Sequence, residues 1–501
     1  MTGSTRSGDS TRQRTLALAV LCTGMLMIIL DQTIVNVALP SIQRDLGFSQ
    51  QSLAWVVNAY LIAFGGLLLL AGRLGDLIGR KRVFLSGLIL FTAASMWCGV
   101  SGNRSELVVA RFVQGVGGAL ASAVILGMIV TLFPEPRERM KAIAVYSFVA
   151  AAGGSLGLLA GGVLTQALNW HWIFFVNVPI GIAAAVLAGR LLENDRGIGL
   201  RQGADVVGAV LVTAALMLGV YAIVEVVDYG WTSAHTLGLG GVALALLAAF
   251  VVRQATAANP LLPLRVFRSR NVSGVNLIQI FTVAGLFGMF FLGALYLQRV
   301  LGYDALQIGL AFLPVGLAIG TLSLGFAPRL NLRFGERRVL VAGLASVVAG
   351  LLLFARAPVH GQYVTDLLPA MLLLGVGGGL LFPAMMAMGM ADATPEDSGL
   401  VSGLINTTQQ VGGALGLAVL ATLSTSRTDH LVSGGHGTAA ALTGGYHLAF
   451  AIGAVLVAAG IVLALAVLRS GGSGTPGEPA AAPESADAAA MAVPVADRTP
   501  A

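Results

Sequence analysis

Long apolar runs dominate this chain and limit what it can fold into. Stretches of about 18 or more mostly apolar residues recur along the whole sequence. Only 10% of the 501 residues are charged, whereas soluble domains carry about 25%. In a bilayer the backbone must satisfy its own hydrogen bonds, which leaves helices or closed barrels. Because the runs are continuous rather than alternating, they predict an all-α, multi-pass membrane protein.

The positions of the basic residues predict an orientation. We count fourteen spans, at 15–39, 52–72, 82–100, 106–132, 142–167, 172–192, 205–226, 236–253, 272–298, 306–326, 338–356, 367–390, 399–424 and 446–468. An even count places both termini on one side. The opposite side holds only Arg44, Arg104, Arg299, Arg356 and Arg427. The positive-inside rule therefore predicts cytoplasmic termini in a cell inner or plasma membrane.

Two pairs of segments indicate an internal repeat. These are GRLGDLIGRKRVFLSGL (72–88) with PRLNLRFGERRVLVAGL (328–344), and GVGGAL (115–120) with GVGGGL (375–380). Gly79 aligns with Gly335, and Gly87 aligns with Gly343. The repeat predicts that spans 1–6 and 9–14 are two copies of one six-helix unit, with spans 7 and 8 inserted between them. Duplicated helical halves are typical of transporters that alternate access around a central site.

The predicted organisation has five parts. They are a cytoplasmic N-terminal segment (1–14), a six-helix half (15–192), two inserted helices with their linkers (193–270), a second six-helix half (271–470) and a low-complexity tail (471–501). The composition of the tail predicts disorder.

A carboxylate interrupts the first apolar run. Asp31 lies in MIILDQTIVNVALP (27–40), where an aspartate costs roughly 3 kcal/mol at the centre of a span. Arg111 is the only basic residue well inside a span, so it is a candidate partner, directly or through Gln114 and water. One interpretation is a structural ion pair. The other is a site that binds a proton or a cationic substrate, with Glu225 as a secondary acidic candidate.

Span 5 carries a glycine stripe. Gly153, Gly157 and Gly161 are spaced at i, i+4 and i+8, close to one helical face, and Gly162 follows them. Such a stripe permits close contact between helices. Packing alone would explain it, as would a contact that also seals a pathway against proton leak.

The loop GRLGDLIGRKR (72–82) joins spans 2 and 3. Its glycines allow a tight turn, and its basic residues can meet acidic groups or lipid phosphates. A topology signal alone would be the simpler explanation.

Other chemistry is not indicated. Neither Lys81 nor Lys141, the only lysines, follows a glycine, so no phosphate-binding ATP loop is possible. Cys22 and Cys98 lie in apolar runs, and the histidines show no metal-ligand spacing. We therefore expect no enzyme activity, no metal, no ATP and no nucleic-acid partner.

Several motifs together resemble the major facilitator superfamily, in its fourteen-helix drug:proton antiporter branch. They are the 72–82 loop, ARFVQGVGGA (110–119), GGSLGLLAGG (153–162), LDQTIVNVALP (30–40), WHWIFFVNVPIG (170–181), NPLLPLRVF (259–267) and GLINTTQQVGGALG (403–416). The resemblance implies a conformational latch at Gly72, Asp76, Gly79, Arg80 and Lys81. It also assigns Asn36, Arg111 and Gln114 to family motifs, and these residues, with Asp31, are expected to couple proton and substrate. Leu158 stands where the antiporter motif has proline.

The resemblance implies proton-coupled export of amphipathic drugs or an antibiotic by alternating access. The expected partners are a small amphipathic or cationic substrate, protons and membrane lipid, with the proton gradient as driving force and no cofactor. An alternative is an exporter or facilitator of a native metabolite, lipid or other small solute. A non-transporting receptor or scaffold is a third class, but the two matched halves argue against it.

Overall fold

The structure, a computed structural model, describes residues 4–195, 197, 199, 203–391 and 398–468. Within these residues it is helical and contains no strand. Fourteen helices of 15 or more residues occur: α1 Ser4–Leu46, α2 Gln50–Ile78, α3 Arg80–Val100, α4 Arg104–Leu132, α5 Pro136–Ala167, α6 Asn177–Leu191, α7 Val206–Val224, α8 Ala234–Thr256, α9 Arg270–Arg299, α10 Ala305–Thr321, α11 Glu336–Phe354, α12 Leu368–Met390, α13 Ser398–Ser433 and α14 Thr438–Ala466. The predicted tail, 471–501, lies outside the described residues.

Short helical segments extend or flank several of these helices. They are Trp172–Phe175 before α6, Val226–Tyr229 after α7, Leu264–Arg268 before α9, Leu322–Phe326 and Ala327–Phe334 after α10, and Tyr363–Leu367 before α12. Since the helices alternate in direction, the bundle has two ends. The Arg80 end is where α2 meets α3, and the Arg299 end is where α9 meets α10.

Twelve helices of the described chain are long and apolar enough to cross a membrane. The helices α5 and α13 are not among them. The described apolar part of α5 is Leu156–Ala167, and α13 contains the polar run Asn406–Gln410. An all-helical membrane bundle is therefore confirmed, while the count of fourteen spans stays a prediction.

The same helix contact occurs in both sets of six helices, which are α1–α6 (the first set) and α9–α14 (the second set). A Cβ placed on Gly87 of α3 would lie 2.8 Å from the carbonyl oxygen of Gly117 in α4. A Cβ placed on Gly343 of α11 would lie 3.0 Å from the carbonyl oxygen of Gly377 in α12. Each pair of backbones is thus too close for a side chain at the glycine. Gly87 and Gly343, which align in the repeat, therefore have the same role. Each allows its helix to pack closely against the next helix in the chain.

The helices α7 and α8 pack against each other, and α7 also contacts α2 and α13. Asp205, buried just before α7, holds the pair together at one end. It accepts hydrogen bonds from the Gly208 backbone N–H (2.9 Å), Nε of Arg253 (3.0 Å) and Nε2 of Gln254 (2.8 Å). Burial alone would raise the pKa of Asp205, but these donors outweigh it and hold the pKa below its usual value. The carboxylate therefore joins the start of α7 to the end of α8.

Candidate functional site

Asp31 and Arg111 form a direct ion pair within the first six helices. Nη1 of Arg111 lies 2.6 Å from Oδ2 of Asp31, and the two side chains are 1% and 0% exposed. The other buried charges among the described residues are Lys81 and Asp205, which lie at helix ends. Removing one partner of such a pair leaves an uncompensated buried charge, which typically destabilises a protein by about 3–5 kcal/mol.

Two amide side chains complete the environment of the carboxylate. Oδ1 of Asp31 accepts from Nε2 of Gln114 at 2.8 Å and from Nδ2 of Asn177 at 3.0 Å. Both amides also donate to Oγ of Ser95, at 2.8 and 3.0 Å. The network therefore joins α1, α3, α4 and α6. Oδ1 accepts two hydrogen bonds and Oδ2 accepts one, from Arg111, so Oδ2 is the oxygen that can take a proton without loss of an amide donor.

Arg111 has further partners that fix its position. Its Nε donates to the carbonyl oxygen of Val56 at 2.9 Å, and Nη1 also donates to Oε1 of Gln114 at 2.6 Å. The guanidinium carbon lies 4.4 Å from the ring centre of Tyr60, a distance at which the aromatic face attracts a cation. The helices α2 and α4 thus hold the arginine in place against Asp31.

Two other predicted site residues lie apart from this network. Nδ2 of Asn36 donates to the carbonyl oxygen of Gln32 in its own helix, at 3.2 Å. At five residues from Asp31 it lies roughly 140° around α1. Glu225 follows the last residue of α7, whereas the side chains that bond to Asp31 belong to α4 and α6. The structure therefore brings Asp31, Arg111 and Gln114 together, without Asn36 or Glu225.

The predicted 72–82 loop is almost entirely helical. The helix α2 continues to Ile78 and α3 begins at Arg80, so both helices extend further than predicted. Only Gly79 interrupts them, with φ of 101°, a conformation that side chains rarely adopt. Gly72 lies within α2, and a Cβ there would meet no atom within 4 Å. The tight turn depends on one glycine.

The charged residues of this turn contact α4 and one another. Nη2 of Arg80 lies 3.3 Å from Oδ1 of Asp76, one turn away in sequence, and both side chains are substantially exposed. Exposed pairs of this kind contribute little stability. Nη1 of Arg80 also donates to the carbonyl oxygen of Gly127 at 3.1 Å. The arginine therefore links the turn to α4.

Asp195, which follows α6, caps the start of α3. Its carboxylate accepts from the backbone N–H groups of Arg80 (2.6 Å) and Lys81 (3.1 Å). These N–H groups have no partner within the helix, and the helix dipole also favours a negative charge there. The linker after α6 is thereby attached to the turn at Gly79.

Lys81 and its counterpart in the repeat bind equivalent helix ends. Nζ of Lys81 donates to the carbonyl oxygen of Leu192, at the end of α6, at 2.6 Å. In the second set of six helices, Nε of Arg337 donates to the carbonyl oxygen of Ala464, at the end of α14, at 3.1 Å. Cations are stabilised beside the free carbonyls of a helix C-terminus. Lys81 thus attaches the turn at Gly79 to α6, and Arg337 attaches the turn at Gly335 to α14.

The glycine stripe of α5 faces α1. A Cβ placed on Gly153 would lie 3.1 Å from Cγ2 of Ile29, and one on Gly161 would lie 2.6 Å from the carbonyl oxygen of Ile34. A Cβ on Gly157 would overlap the hydroxyl of Thr33. Close contact between α1 and α5 therefore requires glycine at these positions.

Two further residues of the motif, Leu158 and Gly162, meet α10. A Cβ placed on Gly162 would lie 2.8 Å from the carbonyl oxygen of Ala305. A Cβ on Gly309 would lie 2.7 Å from the carbonyl oxygen of Leu158. The motif therefore also brings α5 against the second set of six helices.

The family of the chain follows from its sequence taken together with this fold. The sequence pattern of the Major Facilitator Superfamily matches residues 21–417. The chain belongs to the major facilitator superfamily. Members of this superfamily are transporters, so the protein that contains this buried ion pair is a transporter rather than an enzyme.

Curated relatives extend over nearly the whole of this major facilitator. The puromycin resistance protein pur8 of Streptomyces alboniger is 40% identical over 466 residues, covering 91% of this chain and 92% of the relative. The cephamycin export protein CmcT of Amycolatopsis lactamdurans is 39% identical, covering 85% and 89%. Among solved structures, a bacterial homologue of the human lysosomal transporter Spinster, in an inward-facing and unoccupied conformation, matches with a TM-score of 0.65 at 15% identity, covering 90% and 96%.

Sequence reasoning missed Ser95, Asn177 and Asp195 in this major facilitator. Asn177 had a usable signal, because it is a polar residue inside an apolar run, as Asp31 is. Ser95 is a small hydroxyl residue of a kind that is common in membrane helices. Asp195 lies in a charged linker, where an acidic residue needs no explanation.

We predict that Gly79→Leu impairs transport while the protein still inserts. Leucine rarely adopts a φ of 101°, and its Cβ would lie 2.7 Å from the carbonyl oxygen of Asp195. Substitutions at such positions cost about 1–3 kcal/mol. Gly72→Ala is the matched control. Export and membrane expression are measured for both variants, and normal export by Gly79→Leu would make the turn a topology signal only.

Proposed function

We propose that this chain is a proton-coupled exporter of amphipathic drugs or an antibiotic, working by alternating access. The observation that carries the proposal is the Asp31–Arg111 pair, which is 0% and 1% exposed inside a membrane bundle. Intramembrane charges usually mark substrate or proton pathways. The relatives' names, a puromycin resistance protein and a cephamycin export protein, support export and this class of substrate.

We further propose fourteen spans with cytoplasmic termini in the cell inner or plasma membrane. The helices at the fourteen predicted positions support the count, and the concentration of basic residues at the Arg80 end supports the orientation. In this arrangement α7 and α8 are an insertion between two six-helix halves, α1–α6 and α9–α14. The proton gradient drives the cycle, and no cofactor takes part.

Asp31 carries the proton in the proposed cycle. In the structure its oxygens accept from Arg111, Gln114 and Asn177. A proton that reaches the outward-open carrier binds Oδ2 and neutralises the carboxylate that pairs with Arg111. The neutral acid then has no attraction for a cationic substrate, which leaves. Loss of the proton on the inner side restores the carboxylate and its bond to Arg111.

Transport into everted membrane vesicles tests this function. Everted vesicles expose the inner face to the bath, so an acidic lumen reproduces the natural gradient. Puromycin and the cationic dye ethidium serve as substrates. We expect the vesicles to accumulate at least one of them when the lumen is acidified, and to lose it when a protonophore is added.

The outcomes of this experiment separate the candidate functions. Accumulation without any dependence on the gradient would contradict proton coupling and favour a facilitator. If neither compound accumulates, a wider panel of cationic and neutral antibiotics follows. Failure of the whole panel would contradict drug export and favour a carrier of a native metabolite or lipid.

A further inference from the structure

Two kinds of contact join the two sets of six helices at the Arg299 end. The first is the backbone approach of α5 to α10, in which Gly162 and Gly309 leave no room for a side chain. The second is a set of side-chain hydrogen bonds made by Arg299, the last residue of α9. The glycine contacts are van der Waals contacts with backbone atoms, whereas the hydrogen bonds of Arg299 must be broken before the helices separate.

Arg299 reaches across to both sides of the turn between α1 and α2. Its Nη1 donates to Oε1 of Gln50 at 2.8 Å, and its Nη2 donates to Oε1 of Gln43. Gln43 in turn donates from Nε2 to the carbonyl oxygen of Phe48 at 3.0 Å. One guanidinium thus holds the end of α1, the start of α2 and the turn that joins them.

Packing around Arg299 is incomplete. A pocket of about 760 Å³, partly open to solvent, lies on the boundary between the two sets of helices. Its lining includes Gln43 and Thr165 from the first set, and Gln298, Arg299 and Tyr303 from the second. Side-chain packing therefore contributes less here than in a filled interface, and the hydrogen bonds of Arg299 account for more of the attraction.

We propose that Arg299 is a positioning residue that closes the Arg299 end of the transport pathway and releases Gln43 and Gln50 when this end opens. The proposal rests on the proposed transport function. Both acceptors are neutral amide oxygens, which hold a guanidinium less strongly than a carboxylate would. The contact is therefore strong enough to close the pathway and weak enough to reopen in each cycle.

A distance measurement across the boundary tests this role. Spin labels are placed at Gly102→Cys and Gly437→Cys, one in each set, where an added Cβ meets no atom within 4 Å. The buried Cys22 and Cys98 are replaced by serine in every protein compared. We expect Arg299→Gln to move the distances to longer values. Loss of about 1.4 kcal/mol would change the ratio of open to closed molecules roughly tenfold.

Arg104→Gln is the matched control. Arg104 lies at the same end, but its Nε donates to the carbonyl oxygen of Leu46 within the first set of helices, at 3.0 Å. The control should keep the distances of the parent protein, and Arg299→Lys should restore part of the closed population. Equal distances for Arg299→Gln and Arg104→Gln would overturn the proposal.

A variant with the opposite effect provides a second test. Nε2 of Gln50 has no hydrogen-bond partner among the described residues, so Gln50→Glu removes no bond and adds a negative charge facing Arg299. We expect shorter distances and slower export, and longer distances would contradict the proposal. The distances are measured without substrate or a proton gradient. Failure of drug export in vesicles would therefore not affect the result for Arg299.

Discussion

Asp31→Asn is expected to abolish proton-driven export while the protein still inserts into the membrane. Asparagine keeps the shape of the side chain and one acceptor oxygen for Arg111, but it cannot carry a proton through the cycle. Its NH₂ group would also face the donors of Gln114 and Asn177, which now bond to Oδ1 of Asp31. Drug accumulation in vesicles at several lumen pH values measures the effect, which should be greatest for cationic compounds.

Two further variants control for the loss of structure. Asp31→Glu keeps the carboxylate and should retain part of the activity. Asn36→Ala, on the same helix but bonded to its own backbone, should retain most of it. If Asp31→Asn folds and exports cationic drugs with the pH dependence of the wild type, Asp31 is not the coupling site and Glu225 becomes the next candidate. Loss of folding in both Asp31 variants would favour a structural ion pair.

Gly157→Ala is expected to reduce export strongly. The new methyl group would overlap the Thr33 hydroxyl and lie 2.8 Å from the carbonyl oxygen of Leu30. Overpacking of this kind typically costs about 1–3 kcal/mol, and here it would push α5 away from α1. Export in everted vesicles and the rate of proton leak are both measured. If the contact between α1 and α5 seals the pathway, its loss should lower export and raise the leak.

Gly154→Ala in the same motif is the matched control for this prediction. No atom lies within 4 Å of a Cβ placed on Gly154, and alanine favours a helix over glycine by about 1 kcal/mol. This variant should therefore transport normally. If both alanine variants behave like the wild type, the stripe does not need the close contact seen in the structure.

The fold was largely predictable, because hydropathy is a local property that each apolar run reveals by itself. The Asp31–Arg111 pair was also predictable, since each charge is costly inside a span and needs a partner. The predicted 72–82 loop was too long. Glycine and charged residues indicated a turn, but they do not show that helix continues through Asp76 up to Gly79.

The neutral part of the site could not be placed from the sequence. Asn177 and Ser95 lie on α6 and α3, and their contact with Asp31 and Gln114 depends on how four helices are rotated and packed. A single sequence gives no such information. The role of Arg299 was hidden for the same reason, because a basic residue at the end of a span is consistent with topology alone.

The ion pair also determines how membrane voltage acts on this protein. Asp31 and Arg111 lie together in α1 and α4, and they carry opposite charges. As long as both are ionised, the membrane field exerts almost no net force on the pair, because the two charges cancel. A proton or cationic substrate bound as proposed would add one charge, and moving that charge across the membrane is worth about 2.3 kcal/mol per 100 mV. In the proposed cycle, the electrical work is therefore done only in the loaded states, and the force acts on the helices α1 and α4.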